Sequence, residues 1–211
     1  MQIWHRLWQA LTAYFRDRMG LTLAVVAALT GGVVAGALVA RAAPAATKDE
    51  LLGMLRLLFR NASEGQVGGW DLFWLSISQN LRWLLVLWLL GVTVVGFLAV
   101  LPVVFARGFT AGFAVGFLAD SMGPRGVLLA LFALFPQLAI SVPVLGAAAV
   151  FALSFSRQLF GERRRDLGRG FVPELLGFTA LLGLLAIPLA AASLVEAFVS
   201  PVFLRLVGGG W

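Results

Sequence analysis

The sequence predicts an all-α protein, a polytopic integral membrane bundle of about five spanning helices. Hydrophobic residues make up 61% of its 211 residues and charged residues only 12%, whereas roughly a quarter of a soluble domain is charged. Between positions 83 and 156 the only charged residues are Arg107, Asp120 and Arg125. The hydrocarbon core of a bilayer offers no hydrogen bonds and the apolar runs do not alternate as barrel strands do, so we expect helices interrupted by Gly and Pro.

The sequence offers little chemistry for catalysis or metal binding. It contains no cysteine and one histidine, His5, which excludes disulfides, thiolate metal sites and a cysteine nucleophile. No His-x-x-x-His or Glu-x-x-His pair is present. Glu174 and Glu196 lie at opposite ends of the last span, too far apart for paired acid–base work. We therefore expect a protein that is not an enzyme, with no metal and no cofactor.

The net charge of +6 comes almost wholly from arginine. In a membrane protein such an excess indicates orientation and contact with anionic membrane lipid, and no soluble basic surface is present to bind nucleic acid. The positive-inside rule places the Arg-rich loop 157–170 and the N-terminal arginines in the cytoplasm, with the N-terminus inside and the C-terminus outside. Loop 41–82 also holds five basic residues, but they are spread over about three times the length.

Residues 1–20 are predicted to form a cytoplasmic amphipathic helix that lies in the membrane interface. A secretion signal is the alternative, because small-residue triplets follow the first apolar run. The remaining residues, 21–211, are expected to form a single transmembrane domain. Its first span, 21–40, carries small residues at every fourth position, which lets another helix approach closely. Two of these residues are the predicted packing positions Gly32 and Gly36.

The outer loop 41–82 is predicted to contain a second amphipathic helix. Thr47 and Glu50 have the spacing of a capping box, so a helix is expected to begin at Thr47. Leu51, Leu55 and Phe59 give that helix an apolar face that either lies on the bilayer or binds a partner protein. Aromatic residues that follow it are typical interfacial anchors before the next span; these are Trp70, Phe73 and Trp74.

The next predicted span is 84–106, followed by a shorter apolar segment, 108–119. As a helix that segment would be about 18 Å long, against a hydrocarbon core of about 30 Å, so it either spans poorly or re-enters. Its glycines recur at every fourth position and are expected at a helix contact. They are Gly108, Gly112 and Gly116.

The fourth apolar run, 126–155, contains Pro136, Gln137 and Pro143. Proline removes a backbone hydrogen bond, so we expect two half-helices, 126–135 and 138–155, hinged at Pro136 and Gln137. Gln137 is a strongly polar side chain in an apolar pattern. It either marks a substrate path, as broken helices do in transporters, or forms a structural hydrogen bond between helices. The last span follows at 171–192, and Glu196 begins a short interfacial tail.

The order of these features resembles the stage II sporulation protein M family over nearly the whole chain. The resemblance is carried by Ser-Gln-Asn-Leu-Arg at 78–82, by Arg-Gly-x-x-x-Gly-Phe-x-x-Gly-Phe at 107–117, by Phe-Pro-Gln at 135–137 and by Val-Glu-Ala-Phe-Val-Ser-Pro at 195–201. In the wider family the proline break often reads Pro-His-Gly, with a Glu four residues after the His. Here those positions hold Gln137, Leu138 and Ser141, which disfavours a proton- or ion-coupled role.

The resemblance implies a role in engulfment during sporulation. Such a protein would be a non-enzymatic scaffold in the mother-cell septal membrane. It would localise two secreted-side peptidoglycan hydrolases, an amidase/endopeptidase and a lytic transglycosylase. Leu51, Leu55, Phe59 and Glu196 are the residues we expect at the partner contact, and homo-oligomerisation remains open. The alternative is a small permease-like protein, or a membrane subunit of one, with a substrate path at Pro136 and Gln137.

Overall fold

The computed structural model of the chain describes residues 16–63, 69–162 and 171–198. Most of the predicted interfacial helix 1–20, most of the Arg-rich loop 157–170 and the tail beyond position 198 lie outside the described residues. The described part is helical and contains no β-strand. Its elements are α1 (Met19–Ala42), α2 (Ala45–Ser63), α3 (Gly69–Val92), α4 (Gly96–Met122), α5 (Pro124–Leu129), a π-helical turn (Ala130–Leu134), α6 (Phe135–Glu162) and α7 (Phe171–Phe198).

Five helical segments are long and apolar enough to cross a membrane, which confirms the predicted fold class. They are α1, α3, α4, the continuous run Pro124–Leu159 and residues Val172–Phe198 of α7. One end of the bundle, the Gly69 end, holds the start of α3 and the ends of α1, α4 and α7. The opposite end, the Thr93 end, holds the turn between α3 and α4.

The segmentation predicted between positions 41 and 122 is wrong. Residues 69–82 belong to the spanning helix α3, and the predicted span 84–106 is divided by a turn at residues 93–95. Residues 108–119 are therefore the second half of the 27-residue helix α4 and not a short or re-entrant segment. The turn contains no charged residue. It is held because the Thr93 hydroxyl donates to the Leu90 carbonyl at 2.9 Å and the Ser156 hydroxyl donates to the Thr93 carbonyl at 2.7 Å.

The predicted break at Pro136 is also wrong, because the helix widens there and does not stop. A π-helical turn precedes Pro136, and the Phe135 N–H donates to the carbonyl of Ala130, five residues back. Pro136 lacks an N–H, and its ring would collide with the carbonyl of Phe132 in a regular α-helix. The wider turn removes that conflict, as π-bulges commonly do. Pro143 lies inside α6 without ending it.

Helix α2 begins at Ala45, immediately after Pro44, and not at Thr47. The Lys48 N–H donates to the Pro44 carbonyl at 3.1 Å, so Thr47 lies inside the first turn and the predicted capping box is not at the helix start. The Lys48 ammonium bonds the Arg41 carbonyl at 2.9 Å and the Asp120 carboxylate at 2.7 Å. This contact fastens α2 to the ends of α1 and α4.

Helices α1 and α4 run parallel and touch backbone to backbone. A Cβ placed on Gly112 would lie 2.6 Å from the Cα of Val33, and one on Gly116 would lie 2.8 Å from the Cα of Ala37. The same crossing holds Gly32 and Gly36, which lie against the backbone of α4 at Phe105, Phe109 and Phe113, and Gly108, which lies against Leu29. Small residues that admit such close approach are a main source of helix association in lipid.

A second contact is an apolar core, formed mainly by α3, α4, α6 and α7, at the Thr93 end. The rings of Phe155 and Phe178 stack with centroids 4.6 Å apart, and Gly91 leaves room for the Phe178 ring. Helices α3 and α7 are antiparallel, since Trp70 contacts Phe198 at one end and the Trp88 indole donates to Thr179 at the other.

Gly112→Leu is predicted to disrupt the α1–α4 crossing, because even a Cβ there would overlap the Val33 backbone. We expect a loss of several degrees in the unfolding midpoint in detergent, consistent with an overpacking cost of about 1–3 kcal/mol. Gly183→Leu is the matched control, because a Cβ on Gly183 in the spanning helix α7 would meet no neighbouring heavy atom within 4 Å. Equal effects of the two substitutions would rule out the proposed packing role.

Candidate functional site: a polar chain inside the bundle

Four spanning helices bring together a set of polar side chains between the Gly69 end and the middle of the bundle. In a span, polar residues that face the bundle interior pair with one another and mark functional or structural sites. We call this set the polar chain. Its members are Ser76 and Asn80 of α3, Arg107 of α4, Gln137 and Ser141 of α6, and Ser193 and Glu196 of α7.

The Glu196 carboxylate is half-buried between α3 and α6. The Ser76 hydroxyl donates a hydrogen bond to it, and the Gln137 side chain lies close to it. Glu196 lies within α7, so its predicted place at the start of an interfacial tail is wrong. Because α3 and α7 pack antiparallel, Glu196 lies opposite Ser76, which is seven residues from the start of α3. Glu196 therefore lies inside the bundle.

Arg107 lies near the middle of α4, and its guanidinium is incompletely bonded. One nitrogen, Nη2, donates to the Ser141 hydroxyl at 3.4 Å, which is long for a hydrogen bond. The buried Nε has no hydrogen-bond partner. Arg107 and Glu196 attract each other electrostatically without reaching ion-pair distance. The two charges are therefore balanced across the bundle interior and not in direct contact.

A neutral pair continues the chain beside the two charged residues. The Asn80 amide donates to the Ser193 hydroxyl at 3.0 Å, and that hydroxyl donates to the Leu189 carbonyl one turn back. Both side chains are fully enclosed. An unpaired amide would be costly in this position, so the bond fixes α3 against α7.

Helix α6 links the charged residues because two of its polar side chains share one face. Gln137 and Ser141 are four residues apart, which places them one above the other on a helix. Gln137 lies close to Glu196, and Ser141, which has no exposed surface, accepts the hydrogen bond from Arg107. The π-helical turn ends three residues before Gln137 and sets the rotation of this face relative to α5.

Sequence reasoning identifies Gln137 but misses most of the polar chain. The hydropathy pattern places Arg107 at the end of a span, and it places Ser76 and Asn80 in a loop. Their spacing is a usable signal, because Ser76 and Asn80 are four residues apart, Ser193 and Glu196 three apart, and each pair lies in an apolar stretch. Which pairs meet depends on the antiparallel packing of α3 and α7, which no local pattern contains.

The geometry of the polar chain suits helix association better than solute binding in this conformation. The cavity beside Arg107 has a volume of about 10 Å³, roughly the space that one water molecule needs. It is lined mainly by apolar side chains, among them Leu29, Leu87 and Val104. In the described part of the chain, no three His, Cys, Asp or Glu side chains are grouped as metal ligands would be.

The predicted partner-binding residues of α2 lie apart from the polar chain. Leu51 is half-buried. Leu55 and Phe59 belong to the helix, but their side chains lie outside those that the structure describes.

A comparison with protein families identifies a relative of this chain. A family model described as Stage II sporulation protein M matches residues 21–201. No curated protein and no solved structure shows a significant match. The matched range includes four spanning segments in full, α1 except for its first two residues, and every member of the polar chain.

Arg107→Leu and Glu196→Leu are each predicted to destabilise the protein, because each leaves the other charge unbalanced in the bundle interior. The double variant should lose less than the sum of the two, with a coupling of about 1–3 kcal/mol in a double-mutant cycle of unfolding in detergent. The Lys48–Asp120 pair is the control, because it is more exposed and should couple by about 1 kcal/mol or less. Strict additivity at Arg107 and Glu196 would show that the two charges do not interact.

Proposed function

We propose that this protein, which belongs to the Stage II sporulation protein M family, is a scaffold that holds peptidoglycan hydrolases at the septal membrane during engulfment. Family membership and five spanning segments make it a multi-pass sporulation membrane protein. The scaffold role, the mother-cell septal location and the two hydrolase partners, an amidase/endopeptidase and a lytic transglycosylase, are our proposal. We assign it no catalytic step.

The observation that supports a scaffold is helix α2, which stands outside the spanning bundle at the Gly69 end. It touches the bundle sparsely, and the contact through Lys48 is polar. With the N-terminus inside, α2 lies on the outer side of the membrane, where wall hydrolases act. A helix in that position can bind a secreted-side partner without disturbing the spans.

Two faces of α2 could meet such a partner. The exposed side chains Met54 and Leu57 are 53% and 62% accessible. The face with Met54 and Leu57 is exposed and therefore free for a protein. Leu55 and Phe59 are four residues apart, so the sequence pattern puts them on one apolar face that also suits the bilayer.

A permease-like role is the second candidate, favoured by the polar chain itself. Charged and amide side chains inside a bundle line solute paths in many transporters. The cavity beside Arg107, at about 10 Å³, would have to enlarge greatly to admit a solute. The scaffold is therefore the function that the geometry supports better.

Replacing apolar residues of α2 with Ser should release both hydrolases from the septal membrane and stall engulfment, while the protein stays inserted at normal abundance. Two variants separate the faces: Leu55→Ser with Phe59→Ser, and Met54→Ser with Leu57→Ser. The measurement is septal fluorescence of tagged hydrolases in sporulating cells, and we expect a loss of at least about tenfold, or ~1.4 kcal/mol of binding, in one of the two variants.

The matched control is Leu184→Ser with Ile187→Ser, which changes exposed apolar residues of α7 that face lipid. This control variant should still recruit the hydrolases, provided that it is inserted in the membrane. Undiminished recruitment by both α2 variants would contradict docking on α2.

A further inference from the structure

Arg82 is an exposed charged residue in the middle of a spanning helix. It lies 13 residues from Gly69 and 10 residues from Val92 in α3, which corresponds to about 20 Å and about 15 Å along the helix axis. Its side chain points away from the bundle. Most intramembrane arginines instead face the bundle interior or a water-filled cavity, as Arg107 does.

No neighbour in the described part of the chain compensates Arg82. Among the described residues it makes no ion pair and no hydrogen bond through its side chain. The aromatic anchors Trp70 and Trp74, both exposed, set the membrane interface at the first turns of α3. Arg82 lies two further turns below Trp74, about 12 Å deeper.

Arg82 belongs to a continuous outward stripe on α3, which we call the Arg82 face. Its other polar member is Gln79, exposed and three residues before Arg82, so the two stand together on the helix surface. Apolar side chains flank them above and below. They are Leu75 (63% accessible), Leu85 (55%) and Leu89 (50%).

We propose that the Arg82 face binds a membrane-spanning helix of another protein that carries a carboxylate near mid-depth. A guanidinium and an amide in hydrocarbon are matched best by a carboxylate, which can accept two parallel bonds from the guanidinium. The flanking leucines supply the apolar surface that such a helix packs against. The proposal stands independently of hydrolase binding on α2.

A second copy of this chain does not fit the same face. The carboxylates of the described spanning segments lie near helix ends, at Asp71, Asp120, Glu174 and Glu196. Asp120 is paired with Lys48, and Glu196 is bonded inside the bundle. In a two-fold dimer the face would also meet itself, bringing two Arg82 side chains together.

The test uses the full-length protein in phosphatidylcholine vesicles with a dansyl-labelled, Trp-free Leu/Ala spanning peptide. Peptides with Asp or Leu at the central position are compared by energy transfer from the tryptophans of the protein. We expect the Asp peptide to bind about tenfold more tightly than the Leu peptide, and this preference to vanish in Arg82→Leu. Arg82→Lys keeps the positive charge and should retain part of the preference for the Asp peptide.

Arg125→Leu is the control, since it removes an exposed arginine at the Gly69 end and should leave the preference intact. Equal binding of the two peptides would overturn the proposal, and so would a preference that survives Arg82→Leu. The same vesicles are then prepared with phosphatidylglycerol. Loss of the preference there would mean that the Arg82 face takes a lipid phosphate, which also contradicts a helix partner.

Discussion

The hydrocarbon core of a bilayer cannot hydrogen-bond a polar side chain, and this constraint determines how the interior of the bundle is arranged. The polar chain lies where α3, α4, α6 and α7 meet, and each of its side chains bonds to a residue of another helix or lies within its electrostatic reach. Apolar contact alone gives helices little reason to associate in hydrocarbon, since the solvent is equally apolar. The polar chain supplies a specific reason for these four helices to meet in one register.

Helix α1 is held differently, since it contributes no member to the polar chain. It reaches α4 through the glycine crossing at Gly32, Gly36 and Gly112, where backbones touch. Such contact yields dispersion and weak Cα–H···O interactions, and it requires the absence of side chains. Arg107 lies one residue before Gly108 on the same helix, so α4 joins both arrangements. A distortion of α4 would therefore disturb the packing of α1 and the polar chain together.

Local sequence patterns are sufficient to predict the fold class and the packing glycines. They are insufficient where contacts between distant parts of the chain determine the local structure. Hydropathy and length indicate five spans, and the four-residue spacing of Gly108, Gly112 and Gly116 is visible in the sequence. The turn at residues 93–95 gives no polar signal, because it is short and is held by Ser156, more than sixty residues away. The π-helical turn keeps the chain helical at Pro136 by a change in backbone bonding that residue types do not encode.

The most direct test of an interior Glu196 is disulfide formation between engineered cysteines, which the cysteine-free chain allows without background. Ser76→Cys combined with Glu196→Cys should cross-link in native membranes under mild oxidation, because these side chains are in contact. Ser76→Cys with Glu174→Cys should not, because 22 helical residues, about 33 Å, separate Glu174 from Glu196. Failure of the first pair, or equal cross-linking of both, would contradict the antiparallel packing that brings Glu196 into the polar chain.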